Sequence, residues 1–188
     1  MHHAALSGFP GWLLAALCAA VGAYCLLRAR TGSGAERAGM TGDAVMGLGM
    51  AVMAVPSLMP VLPGWSGALF GAVFAAAGLG ALVAAGAWHQ RVHHAVGALA
   101  MVHMALAMPA AGHGAGTAHG ARAAVTGVPL LTGALLAYFA GYVLYAGATL
   151  VTPPAAGFPG PAPHTGLFVT RACRTAMGLA MVTMLAAL

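Results

Sequence analysis

Hydrophobic positions run through this chain in long unbroken blocks, and the polar positions that interrupt them return at helical spacing. Six blocks approach the roughly 20 residues that a helix needs to cross a bilayer: 10–28, 43–61, 65–88, 92–109, 127–151 and 168–188. None alternates apolar and polar residues as a half-buried strand would. Backbone in lipid must also satisfy its hydrogen bonds internally, so continuous apolar blocks rich in Ala, Leu and Gly predict helices. Within the second block, Asp43, Met46, Met50 and Met53 fall at i, i+3, i+7 and i+10, one stripe along a helix. The fourth block repeats that register with His94, Gly97, Met101 and Met104, and Met108 follows one turn on. The sixth repeats it again with Arg174, Met177, Met181 and Met184.

The blocks between these carry a different residue class. Trp12 and Tyr24 lie in the first, Trp65, Phe70, Phe74 and Trp88 in the third, and Tyr138, Phe139, Tyr142 and Tyr145 in the fifth. Of the 12 methionines, all but Met1 lie in or beside the second, fourth and sixth blocks. This segregation predicts an all-α integral membrane protein: one domain, residues 1–188, of six transmembrane helices arranged as three helical hairpins. Each hairpin pairs an aromatic outer helix with a Met-rich inner one. Helices two, four and six run in one direction, so their equivalent positions meet in layers.

Composition agrees with a membrane setting. The chain is 61% hydrophobic and 5% charged, against about 25% charged in a soluble domain. All seven basic residues are Arg. Arg28, Arg30, Arg37, Arg91, Arg171 and Arg174 cluster at the odd-to-even connections, with Arg122 alone on the other side. The positive-inside rule therefore predicts a multi-pass protein of the cell membrane with both termini and the 110–126 loop outside. The net charge of +5 reads as a topology signal, with no nucleic-acid footprint. The first block has no basic n-region and is expected to be a retained helix, not a leader. Cys18, Cys25 and Cys173 all fall within helices, which argues against a disulfide framework. Asp43 and Glu36 are the only carboxylic side chains, so paired-carboxylate acid–base chemistry is excluded, and an enzyme is not expected.

Local signals sharpen the picture. Thr41 is a candidate N-cap for helix two, with Asp43 in its first turn, where a carboxylate favours the helix dipole. Pro56, Pro60 and Pro63 end that helix, and Gly67-x-x-x-Gly71 is a close-packing motif on helix three. His103 falls inside a span, where an ionisable residue is a functional hypothesis by default. Residues 110–126 form a Gly-rich loop with His113 and His119, and 152–166 a Pro-rich connector. The loop has neither the preceding strand nor the Lys-Ser/Thr pair of a phosphate loop.

Stacked thioethers define the candidate chemistry. Asp43, His94 and Arg174 form one layer, with His93 and Cys173 adjacent. Met46 and Met177 form the next, where Gly97 leaves a gap. Met50, Met101 and Met181 form a triad, and Met53, Met104 and Met184 another about 5 Å further out at 1.5 Å per residue. Met59 and Met108 lie toward the mouth. Thioethers are soft, neutral ligands that select Cu(I). The expected metal ligands are therefore Asp43, Met46, Met50, Met53, His94, Met101, Met104, Cys173, Met177, Met181 and Met184. The expected function is Cu(I) binding for uptake, storage or delivery, with membrane lipid, the copper ion and a copper chaperone or metalloenzyme client as partners. His2, His3, His113 and His119 are candidate metal collectors outside. Two other classes stand beside this one: a haem-binding electron carrier using His89, His93, His94 or His103, and a metal-free membrane assembly protein in which Met simply packs irregular helix interfaces.

The Asp43 stretch, His93-His94 with Met101, and Cys173-Arg174 with Met177 resemble an uncharacterised family of short multi-pass actinobacterial membrane proteins with His/Met-rich helices. That resemblance covers most of the chain and implies no activity. The Met triads are similar in ligand logic to those of Ctr-type copper transporters, which use Met-x-x-x-Met in a trimer. Met46-x-x-x-Met50 and Met177-x-x-x-Met181 match that pattern, and helix four, with Gly97, departs from it.

Overall fold

The computed structural model describes residues 2–32, 34–55, 63–84, 87–107, 129–151 and 164–188, with the side chains of 2–9, 35, 150 and 164–168 excepted. Six helices carry these residues, and no strand occurs among them: α1 His2–Thr31, α2 Gly34–Ala54, α3 Ser66–Val83, α4 Trp88–Ala107, α5 Pro129–Val151 and α6 His164–Ala186. Consecutive helices pack as three hairpins, α1 with α2, α3 with α4 and α5 with α6. The second members, α2, α4 and α6, touch one another, and α1 also reaches α6. α2, α4 and α6 are accordingly termed the inner helices and α1, α3 and α5 the outer ones.

Several boundaries differ from those the apolar blocks predict. α2 starts at Gly34, nine residues before Asp43. The stretch GAERAGMTG reads as a loop by its glycines. It nonetheless supplies Glu36 to the first turn, where the dipole favours an acid, and Met40 to the buried face. Gly34 takes a left-handed φ of +51°, which lets the chain reverse between α1 and α2. Thr41 is not an N-cap. Its hydroxyl donates to the Arg37 carbonyl at 2.8 Å, inside the helix. Asp43 consequently sits about two and a half turns into α2 and is not a first-turn residue. α1 begins at His2 and carries Pro10 within it, and α4 and α6 each begin four residues earlier than the hydropathy suggests. α2 does end ahead of Pro56, as the restricted residue before a proline requires.

The hairpins close through small residues. A Cβ on Gly47 would lie 3.0 Å from Gly22 Cα and 3.2 Å from the Cys18 carbonyl, so α1 and α2 meet backbone to backbone. On α3, Gly67 fits against the Ala105 carbonyl of α4, whereas a Cβ on Gly71 would meet nothing within 4 Å. Only the first glycine of that expected motif makes a close approach.

The core lies between the inner helices and takes in Cys18, Cys25, Phe74, Leu135 and Phe139 from the outer ones. Among the described residues, three helices are long and apolar enough to cross a membrane, and they are the outer three: Pro10–Thr31, Ser66–Val83 and Pro129–Thr149. They turn Leu13, Leu27, Leu79, Val83, Leu130 and Leu144 outward, as helices sheathed by lipid would.

Candidate functional site

α2, α4 and α6 each bring one polar side chain to the same level. Asp43 is buried at 3% exposure. Arg174 Nε donates to its Oδ2 at 2.9 Å, and His94 Nε2 lies 3.5 Å from its Oδ1. Gly39 and Gly42 of α2 face the Arg174 and His94 side chains respectively. A Cβ on Gly39 would lie 3.7 Å from the Arg174 guanidinium, and one on Gly42 would lie 3.4 Å from the His94 ring. The carboxylate that a cap would leave in water is thus the node joining three helices.

Below this node the sulfurs follow in sequence register. Met46 of α2 occupies the gap at Gly97 of α4, where a Cβ would come within 2.8 Å of Met46 Cε. Met50, Met101 and Met181, one from each hairpin, are the most deeply buried methionines among the described residues, at 0%, 0% and 2% exposure. A small cavity of ≈ 20 Å³ touches Asp43, Met46, Met50, His94, Met177 and Met181, enough for about one water-sized occupant. At the far end, Met53, Met104 and Met184 line a vestibule of ≈ 540 Å³ with Pro10 and Leu14. From node to vestibule the stripe spans about 15 Å, ten residues at 1.5 Å each.

Other expected site residues fall elsewhere. Cys173 is half-buried against the core and is not part of the cavity wall. Among the described residues, no three His, Cys, Asp or Glu side chains converge as a metal-holding group, so Cys173 does not complete a chelate with Asp43 and His94. Met59, Met108, His113 and His119 lie outside the described residues, as do the side chains of His2 and His3. His103 Nε2 hydrogen-bonds Thr132 Oγ1 of α5 at 2.8 Å. His89 is exposed at the start of α4.

Two further side chains complete the lining: the stripes place His93 next to the polar layer and give no sign of Phe139. His93 and Phe139 both border the space. The His93 ring stacks on Tyr142 at 4.1 Å, and its Nδ1 hydrogen-bonds the Tyr138 hydroxyl at 3.0 Å. The aromatic cluster of α5 is what turns His93 beside the site, and no local periodicity encodes that contact. Cys25 of α1 is likewise buried, within electrostatic range of Asp43, Cys173 and Arg174.

These elements belong to a defined sequence family. The chain is a member of the family described as Domain of unknown function (DUF5134), which matches residues 35–188. The match takes in α2 to α6 almost entirely, and with them every residue of the three stripes. α1, with Cys18 and Cys25, precedes it. No curated protein and no solved structure matches the chain.

Proposed function

We propose that this protein binds Cu(I) in the membrane through its stacked methionines and serves copper uptake, storage or delivery. The observation that carries the reading is the convergence of Met50, Met101 and Met181 from three separate hairpins at nearly zero exposure. Met50 and Met181 border the small cavity, and the vestibule lined by Met53, Met104 and Met184 lies at the far end of the stripe. Burying one flexible side chain at an interface is ordinary packing. Layered thioethers from three helices, continuous from an open mouth to a carboxylate, suit a soft monovalent cation that needs little counter-charge in lipid. The similarity in ligand logic to Ctr-type transporters points the same way, with one chain supplying what three supply there.

In this reading all six helices cross the bilayer with both termini outside. The outer helices meet lipid, and the less apolar inner helices are shielded by them. Met53, Met104 and Met184 receive the ion from the vestibule, Met50, Met101 and Met181 hold it, and Met46 and Met177 carry it toward Asp43 and His94. Arg174, which neutralises Asp43, is then the barrier at that end. A cation reaches the carboxylate only as the ion pair opens, and a copper chaperone or metalloenzyme client is the natural recipient.

The test is Cu(I) content and affinity of detergent-purified protein under reductant, beside the Met50→Leu/Met101→Leu/Met181→Leu variant. Leu keeps the volume and removes the sulfur, so the fold is expected to persist at a cost below about 1.5 kcal/mol per site. Stoichiometric Cu(I) in the parent that is lost in the folded variant is the expected result. Equal copper in both, or none in either, would overturn the reading and leave the stripes as packing.

A further inference from the structure

A second space shares His94 and Met46 with the methionine cavity and extends toward α3. A groove of ≈ 540 Å³ runs between α2, α3 and α4, within the range of about 300–1,000 Å³ typical of small-ligand sites. Its walls divide sharply by chemistry. One end presents Arg37, Arg91, Gln90 and Thr41, and no carboxylate belongs to the lining. Apart from His94, the remainder is apolar, with Met46, Phe74 and a run of Ala and Gly from α3. Ala77 and Gly80 on that run are exposed, so the groove opens sideways off an outer helix that is apolar enough to meet lipid.

The cationic end is incompletely satisfied. Arg37 Nε donates to the Gly32 carbonyl at 3.0 Å, which fixes that side chain at the end of the groove. Arg91 Nε is buried and has no hydrogen-bond partner among the described residues. The Arg91 guanidinium lies 5.8 Å from the Trp88 ring, a contact that orients the group and supplies no acceptor. A buried donor on a cation left without an acceptor is costly, and native structures normally provide one.

We propose that this groove binds an acidic phospholipid of the surrounding bilayer, its phosphate held by Arg91 and Arg37 and an acyl chain laid along Phe74 and the small residues of α3. Charge complementarity selects the headgroup: two guanidinium groups without a carboxylate fit a phosphate, which accepts bidentate hydrogen bonds from arginine. A lateral opening and an apolar floor select an amphiphile over a free anion. The inference is independent of the copper reading and requires only a membrane location.

The experiment reconstitutes the protein into vesicles of equal phosphatidylglycerol and phosphatidylcholine, re-extracts it in mild detergent, and quantifies retained lipid by mass spectrometry. The parent is expected to retain phosphatidylglycerol preferentially. Arg91→Gln should cut that preference roughly tenfold, the size of one charge-assisted hydrogen bond, and Arg171→Gln on exposed α6 surface should leave it unchanged. Gly80→Leu fills the groove where a Cβ meets nothing within 4 Å. It should abolish retention while the thermal midpoint holds, which separates loss of the site from loss of the fold. Equal retention of both lipids, equal effects of Arg91→Gln and Arg171→Gln, or displacement of the lipid by excess inorganic phosphate would each overturn the assignment. Recovery of the chain in the soluble fraction would overturn it together with the membrane reading.

Discussion

Asp43 concentrates the electrostatics of the molecule into one side chain. A carboxylate at 3% exposure is tolerable only with a partner, and Arg174 at 2.9 Å supplies the compensating charge while His94 flanks the second oxygen. Removing one member of such a pair strands the other, at a cost of about 3–5 kcal/mol. Arg174 keeps 18% of its side chain exposed, so water relieves part of that penalty and the lower end applies. Asp43→Ala is therefore expected to lower the thermal midpoint in detergent markedly. Arg174→Met in the same background should restore most of the loss, because an apolar pair of similar volume replaces a buried ion pair at little cost. A double variant no more stable than Asp43→Ala alone would mean that the ion pair is not what holds the three inner helices at this level. The sequence makes Asp43 conspicuous as one of two acids, yet suggests a capping role. Its partners lie 51 and 131 residues away, and the register shared by the three stripes is what places His94 and Arg174 in its layer.

At the level of elements, hairpin closure depends on where glycine replaces a side chain between backbones. A Cβ on Gly47 would press on Gly22 and the Cys18 carbonyl, which cannot rotate away. Gly47→Ala should force α1 and α2 apart and destabilise by roughly 1–3 kcal/mol, the usual range for overpacking. Gly141→Ala on α5, where a Cβ meets nothing within 4 Å, should stabilise by up to about 1 kcal/mol through helix propensity. Thermal unfolding of the two variants side by side checks both signs, and matching shifts would refute the backbone contact. Gly97→Ala sits between them, since Met46 Cε is the flexible end of a side chain and can move aside. Much of this level was legible beforehand. The register of Met50, Met101 and Met181, repeated three times, announces one inner face per hairpin, and Gly97 announces its gap. The start of α2 was not legible, because glycines at 34, 39 and 42 suggest a loop while Glu36, Ala38 and Met40 sustain a helix. The lipid groove was equally hidden, since empty space between helices follows from how they cross and not from any residue run.

For the whole molecule, hydropathy and architecture have to be read together. Among the described residues, only α1, α3 and α5 qualify as spans by their own composition. α2, α4 and α6 hold Asp43, His94, Arg174 and the sulfurs, and pack against one another. If the inner helices cross as well, their polar stripe is hidden from lipid by the outer three, and six crossings return both termini to one side. Outward-facing positions on the outer helices then have lipid as their solvent. Leu144 on α5 is 74% exposed, and an arginine within a span costs about 2.5–3.5 kcal/mol by insertion scales. Leu144→Arg should reduce membrane-inserted protein severalfold, whereas the same change on a water-facing helix would leave the yield near parent. Side-specific labelling completes the argument. With the arginine-rich connections inside, an impermeant thiol reagent should reach Thr117→Cys in intact cells and Ser33→Cys only after permeabilisation. Native cysteines contribute little background, because Cys18 and Cys25 are each 1% exposed and Cys173 is half-buried. Labelling of both positions from one side would leave an even number of crossings between them, where the six-span reading has three. That would remove at least one inner helix from the bilayer, and with it the parallel register on which the thioether layers depend.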